Sequence, residues 1–191
     1  TMVLPVSIGI ALEMLKDKQV GGPIGAIISS DGFIMDGHHR WSGAFIAGGP
    51  NAKVGGYKAA LTGRNLVRVL NILTKGAFGV NRGNRGAGAI SQYTPENAKK
   101  ILWEFATKGR TGKHSMSGDT VREVLTDNFG SVERGIEILS ERVGKLPKKT
   151  PSWAPLRSDM PVINKNNLPF AVKKMNRGEV DWSPPYRRAR D

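Results

Sequence analysis

The order of two hydrophobic periods constrains this chain more than any other feature. Residues 25–35, GAIISSDGFIM, form two short apolar runs on either side of Ser30-Asp31-Gly32, and Asp-Gly between apolar runs is the strongest short-range hairpin signal. Immediately afterwards, in DGHHRWSGAFIAGG, Trp41, Ala44, Phe45 and Ala47 fall at helical spacing before Gly48-Gly49, a natural stop. The sequence therefore predicts a β-hairpin that runs straight into a helix, with Asp36-Gly37-His38-His39-Arg40 at the junction.

Residues 50–65 are glycine-rich and basic, with a short helix expected at Tyr57–Leu61. LVRVLNIL at 66–73 alternates partly and is rich in branched residues, which predicts a returning strand. Strand, strand, helix, strand make a small mixed sheet, so the expected fold class is α+β. The glycine-rich TKGAFGVNRGNRGAGAISQY at 74–93 is expected to be a mobile loop. Thr94 then offers an N-cap, Pro95 the first helical position, and Ala98, Ile101, Leu102 and Phe105 one buried face ending at Gly109. Val121, Val124 and Leu125 before Gly130, followed by Val132, Ile136, Leu139 and Val143, predict a pair of helices. Prolines at 147, 151, 155 and 161 favour an extended arm, with a last short helix expected at 166–177 and a basic tail after it. Three regions follow: an α/β unit over 1–75, a basic loop with a helical segment over 76–144, and a proline-rich arm and tail over 145–191.

The chain has no cysteine, which excludes disulfides and thiolate zinc sites and makes an intracellular protein the default. Its apolar opening, TMVLPVSIGIALEML, has no basic residue before Lys16, carries Glu13 and shows no small-residue cleavage site, so it reads as structural. No run approaches the roughly 20 apolar residues of a membrane-spanning helix, and no membrane partner is expected. Thr1 ahead of Met2 points to a processed or truncated product. The formal net charge is +13, and residues 51–115 hold twelve basic groups against two acidic ones. Such a field attracts phosphate, so nucleic acid is the expected partner; a merely solubilising basic surface, or affinity for anionic membranes, is the plainer alternative.

The junction itself carries the most chemistry. A helix N-terminus presents backbone N–H groups and a positive dipole end to an anion, glycine permits close approach, and arginine can hold phosphate through two parallel hydrogen bonds. Gly37 and Arg40 are therefore candidate phosphate-binding residues. An imidazole titrates near pH 6.5, so His38 or His39 could donate to a phosphate oxygen or act as general acid, while Asp36 could orient a histidine or hold a divalent cation. Adjacent helical residues point about 100° apart, so a metal cage built on both histidines is the poorer reading, and simple capping and packing is a further one.

With these residues in place, GAIISSDGFIMDGHHRWSGAFIAGG resembles the ParB/sulfiredoxin superfamily, in particular its D-G-H-H-R branch, over Ile24 to Leu73. The resemblance implies a ParB/sulfiredoxin-like sheet with the motif helix, nucleotide-phosphate binding by Gly37 to Arg40, and Asp36, His38 and His39 as catalytic groups. Members of the superfamily include partition-type nucleotide switches, ParB-like nucleases, sulfiredoxins and free serine kinases, and many bacterial and phage proteins of the ParB-like nuclease type carry the same string followed by tryptophan and small residues. Sulfiredoxin activity needs a cysteine in this motif, and the chain has none. The family's opening strand and helix should precede Gly25, where only 24 residues stand, so the unit is expected to be incomplete at its start. The insertion from Pro50 to Arg64 is longer than the family's usual turn.

Outside the motif, Arg82 and Arg85 in NRGNRGAG, with Lys108, Arg110 and Lys113 beyond, are candidate nucleic-acid contacts, and Tyr93 or Trp103 candidate stacking residues. A tryptophan at Trp103's helical position is more often a core side chain. No G-x-x-x-x-G-K-S/T string is present, so nothing supports P-loop chemistry. The helix at Ser131–Val143 opens with Val132, Glu133 and Arg134 and continues with Glu137 and Glu141, too acidic a face for reading DNA. The arm, with Trp153, Phe170 and Trp182 as anchors, would suit either its own domain or a partner protein. Three functions are expected in turn. The first is a ParB-like nuclease-type domain that binds nucleotide or nucleic-acid phosphate, with Mg2+ or Mn2+ at Asp36 if it cleaves. The second is a non-enzymatic DNA-associated or virion structural protein that keeps the fold, and the third a small-molecule kinase of the free-serine type. The expected setting is bacterial or phage-infected cytoplasm, or a virion.

Overall fold

The computed structural model describes residues 3–78, 90–148, 151–154 and 168–179. The apolar opening is helix α1 (Leu4–Lys16), with Pro5 in its first turn, where a missing N–H costs nothing. Leu4, Ile8, Ala11, Leu12 and Leu15 repeat at helical spacing and are buried. Strands β1 (Gly22–Ile28) and β2 (Ile34–Asp36) form the expected hairpin. Its turn is closed by Ser29 N–H donating to Phe33 O and Gly32 N–H donating to Ser29 O, with Gly32 at φ +85°. Helix α2 (His38–Gly48) follows without a linker.

Two expectations after α2 are corrected. Residues Val54–Lys58 are strand β3, not the approach to a short helix at Tyr57–Leu61. Gly22 N–H bonds Lys53 O and Ala59 N–H bonds Ile28 O, a constant offset that makes β3 parallel to β1, and the sheet order is β2-β1-β3. The glycines are what permit it: a Cβ on Gly56 would lie 2.2 Å from the Ala26 carbonyl oxygen. The second correction is the stretch 66–73, a returning strand by expectation, which lies inside helix α3 (Gly63–Phe78). Leu66 and Val67 are buried, and so is Asn71 at 2% exposure; Leu66, Val67, Leu70 and Asn71 are two adjacent i, i+4 pairs. A polar residue in the buried stripe, together with the branched residues, hid the helical period. Thr74–Phe78 of the expected loop belong to α3, residues 79–89 lie outside those described, and Ile90–Gln92 form a 3₁₀ turn.

Helices α4 (Pro95–Lys108), α5 (Gly118–Phe129) and α6 (Val132–Gly144) stand where the sequence placed them. Each is capped by a hydroxyl: Thr94, the expected cap, accepts from Asn97 N–H, and Ser117 and Ser131 accept likewise from Thr120 N–H and Arg134 N–H. The described residues thus form an α+β fold, a small mixed three-stranded sheet with seven helices, the last being α7 (Leu168–Asn176). Among the described residues no helix is long and apolar enough to cross a membrane.

The chain divides into two compact units, one of Thr1–Ile27, Asp36–Tyr57 and Gly88–Lys149, the other of Ile28–Met35, Lys58–Ala87 and Thr150–Asp191. In the first, α1, α2, α4, α5 and α6 share one core, with Ile8, Leu12, Ile46, Leu102, Leu125, Ile136 and Leu139 almost wholly enclosed. Arg142 ties α6 to the end of α2 by donating to the carbonyls of Ile46 and Ala47, with its guanidinium over the Phe129 ring. In the second, α3 packs on α7, and Trp153 of the arm stands edge-on to Phe33 with centroids 5.2 Å apart. The Asp31 carboxylate accepts from Ser29 Oγ at 2.6 Å and from Gly63 N–H at 2.8 Å, which caps the start of α3.

Candidate functional site

Gly37 is the N-cap of α2 and sits at φ +91°, ψ +17°, a left-handed conformation that β-carbon-bearing residues adopt at a cost. A Cβ there would also lie 3.2 Å from Ala26 Cα on β1 and 3.4 Å from an Arg40 guanidinium nitrogen. Gly25, at φ +64°, faces the other guanidinium nitrogen, with a hypothetical Cβ at 3.5 Å. The guanidinium of Arg40 therefore lies beside two bare glycine backbones. The first turn of α2 contains no acidic residue and its cap makes no side-chain hydrogen bond, so the acid that stands by the positive end of the helix dipole is Asp36, just before the cap.

Asp36 approaches Arg40 at 3.2 Å, with the two side chains 68% and 44% exposed. A solvent-exposed i, i+4 pair of this kind is worth about 0.3–0.5 kcal/mol, so an incoming phosphate could take the guanidinium from Asp36 at small cost. His39 points elsewhere: its Nε2 accepts the Val3 N–H at 2.8 Å, which leaves the proton of the neutral ring on Nδ1. Burial pushes His39 below the ordinary histidine range, neighbouring His38 and Lys113 add to that, and Asp36 opposes it. His38 is partly exposed at the first position of the helix. The expected pair thus divides, one ring serving as an acceptor for the start of α1.

Behind the motif is a hydrogen-bonded chain that sequence reasoning missed. Ser42 Oγ donates to His39 O at 3.1 Å, Ser7 Oγ lies 2.7 Å from Ser42 Oγ, and Tyr93 Oη lies 2.8 Å from Ser7 Oγ. Because Ser42 spends its proton on His39 O, the chain runs from Tyr93 through Ser7 to Ser42. Tyr93 is fully buried, and burial raises its hydroxyl above the ordinary tyrosine range; it is not available for stacking. The local signal was the small pair Ser42-Gly43: a Cβ on Gly43 would stand 2.7 Å from Ile10 Cγ2, so the glycine lets α2 press closely on α1.

The basic candidates fare differently. Arg82 and Arg85 lie outside the described residues. Arg110 is taken up by the fold, packed against Gly9 of α1, over the Phe105 ring and donating to Lys113 O; burial lowers its proton affinity. Lys108 is exposed and 4.0 Å from Glu104. Lys113 is exposed in the loop that Arg110 and Met116 close by two backbone hydrogen bonds, and His114 pins that loop to α1 through Glu13, Nδ1 to Oε2 at 2.5 Å. Trp103, against the expectation of a core position, is 40% exposed.

Among the described residues, no three His, Cys, Asp or Glu side chains gather closely enough to hold a metal ion. Asp36 offers one carboxylate, so a divalent cation there would need phosphate oxygens among its ligands, as magnesium often does. No protein-family model, curated protein or solved structure matches the chain.

Proposed function

We propose that the turn from Asp36 to Arg40 is a phosphate-binding site and that this is a ParB-like domain acting on nucleic acid. The observation that carries the reading is the Arg40 guanidinium held beside Gly25 and Gly37 at an uncapped helix start. Backbone N–H groups and the dipole at a helix start favour an anion, and the guanidinium beside Gly37 is only loosely paired to Asp36. The excess of basic residues in 51–115 supports a polyanion over a small metabolite.

If the site cleaves phosphodiesters, His38 is the general acid and Asp36 holds Mg2+ or Mn2+ together with phosphate oxygens. A second reading, a binding protein of bacterial cytoplasm or virion that keeps the fold without the chemistry, is favoured by His39's use as an acceptor for Val3. Binding and cleavage of labelled single- and double-stranded DNA and RNA, with magnesium or manganese, separate the two. Arg40→Ala should weaken binding about ten- to a hundredfold, the scale of a charged hydrogen-bonded pair. His38→Ala should leave binding intact and abolish cleavage where cleavage occurs. Unchanged affinity in Arg40→Ala would end the phosphate-site reading.

A further inference from the structure

The outward face of α4 carries an indole among cations. Ala98, Leu102, Phe105 and Ala106 turn into the core, which leaves Trp103 at 40% exposure in a shallow depression with Lys100, Glu104, Thr107 and Lys108. A second depression, lined in part by Gln92 and Asn97, shares Lys100 and Glu104 with the first, so the two adjoin along the helix. The helix that presents this face is firmly placed, capped by Thr94 and seated on the core by four buried side chains.

Charge and shape together indicate what would cover it. Helix α4 carries Lys99, Lys100 and Lys108 against Glu96 and Glu104, and the depression at Trp103 holds two lysines against Glu104, a small positive excess that favours an anionic partner. An exposed indole flanked by lysines offers a planar stacking surface beside cations that can follow a phosphate backbone, and amides nearby can meet the edge of an unpaired base. Duplex DNA keeps its bases stacked and cannot use the indole; an acidic peptide could use the lysines but gains nothing specific from it. We propose that the Trp103 face of α4 binds single-stranded nucleic acid, with an unpaired base stacked on the indole and Lys100 and Lys108 on adjacent phosphates. It is a surface separate from the turn at Arg40 and does not depend on it.

The built-in fluorophore provides the test. Titration of the full chain carrying Trp182→Phe with oligothymidylate should quench tryptophan emission, and most of that quenching should vanish when Trp103→Phe is added, since Trp41 and Trp153 are partly buried. Trp103→Ala should weaken oligothymidylate about tenfold or more, Trp103→Phe much less, and neither should alter affinity for duplex of the same length. Should Trp103→Ala not fold, Lys100→Glu at an exposed position should still weaken the oligonucleotide. Wild-type affinity in Trp103→Ala or in Lys100→Glu would overturn the proposal, as would polyglutamate competing as well as oligothymidylate. Quenching retained in Arg40→Ala supports a second surface; quenching lost there would reduce it to the site at α2 and overturn it.

Discussion

His38 and His39 are neighbours in sequence whose side chains leave the helix about 100° apart, and the His39 ring meets the start of α1. The acceptor role of His39 is fixed by the 2.8 Å bond from Val3 N–H, and protonation would turn that acceptor into a second donor facing an N–H. Burial holds His39 below its ordinary pKa, so the unfolded chain binds the proton more readily than the folded one. Its contribution to stability is then complete above the ordinary histidine range near pH 6.5 and is lost as pH falls through the depressed folded value. Urea unfolding at a series of pH values should show stability falling from pH 7 into the acid range. In His39→Gln, whose amide oxygen can accept from Val3 at every pH, that part of the slope should disappear; an identical slope in both proteins would place the titration elsewhere. The adjacency of two histidines was legible in the sequence. Their division was not, because it depends on a residue 36 positions away.

Helix α2 and its hairpin could be read from local signals: Asp31-Gly32 for the turn, the change of period at Asp36, Gly48-Gly49 for the stop. Helix α3 could not, since Asn71 interrupts its apolar stripe and Val67, Val69 and Ile72 carry branched side chains that suit a strand. What starts α3 lies far back in the chain, the Asp31 carboxylate, held below the ordinary carboxylate range by Ser29 first and then by the Gly63 N–H. The residue that signalled a hairpin thus also caps a helix 32 positions later. Asp31→Asn should leave the turn, where asparagine is equally at home, but weaken the start of α3. Hydrogen exchange should show faster exchange at the amides of Gly63 to Val67 with little change in α4 to α6. Uniform protection across α3 in the variant would mean that the cap does not matter. Strand β3 was misread for a related reason: its glycines look like loop until Ala26 is seen to leave no room for a side chain at Gly56.

Across the molecule, the helices α4 to α6 were legible because caps and buried stripes are local, whereas the enclosure of Tyr93 and the exposure of Trp103 are tertiary facts. Composition pointed to a polyanion, and the fold gives that pull two candidate places within one of its units, the turn at Arg40 and the face of α4. Only the first has an arginine beside bare glycine backbone at the start of a helix. Backbone amide NMR shifts of the full chain titrated with inorganic pyrophosphate test it most directly. The amides of Gly37, His38, His39 and Arg40 should move together and saturate, and Arg40→Ala should abolish the response. Saturable shifts confined to other residues, or a response that survives Arg40→Ala unchanged, would contradict a phosphate site at this turn.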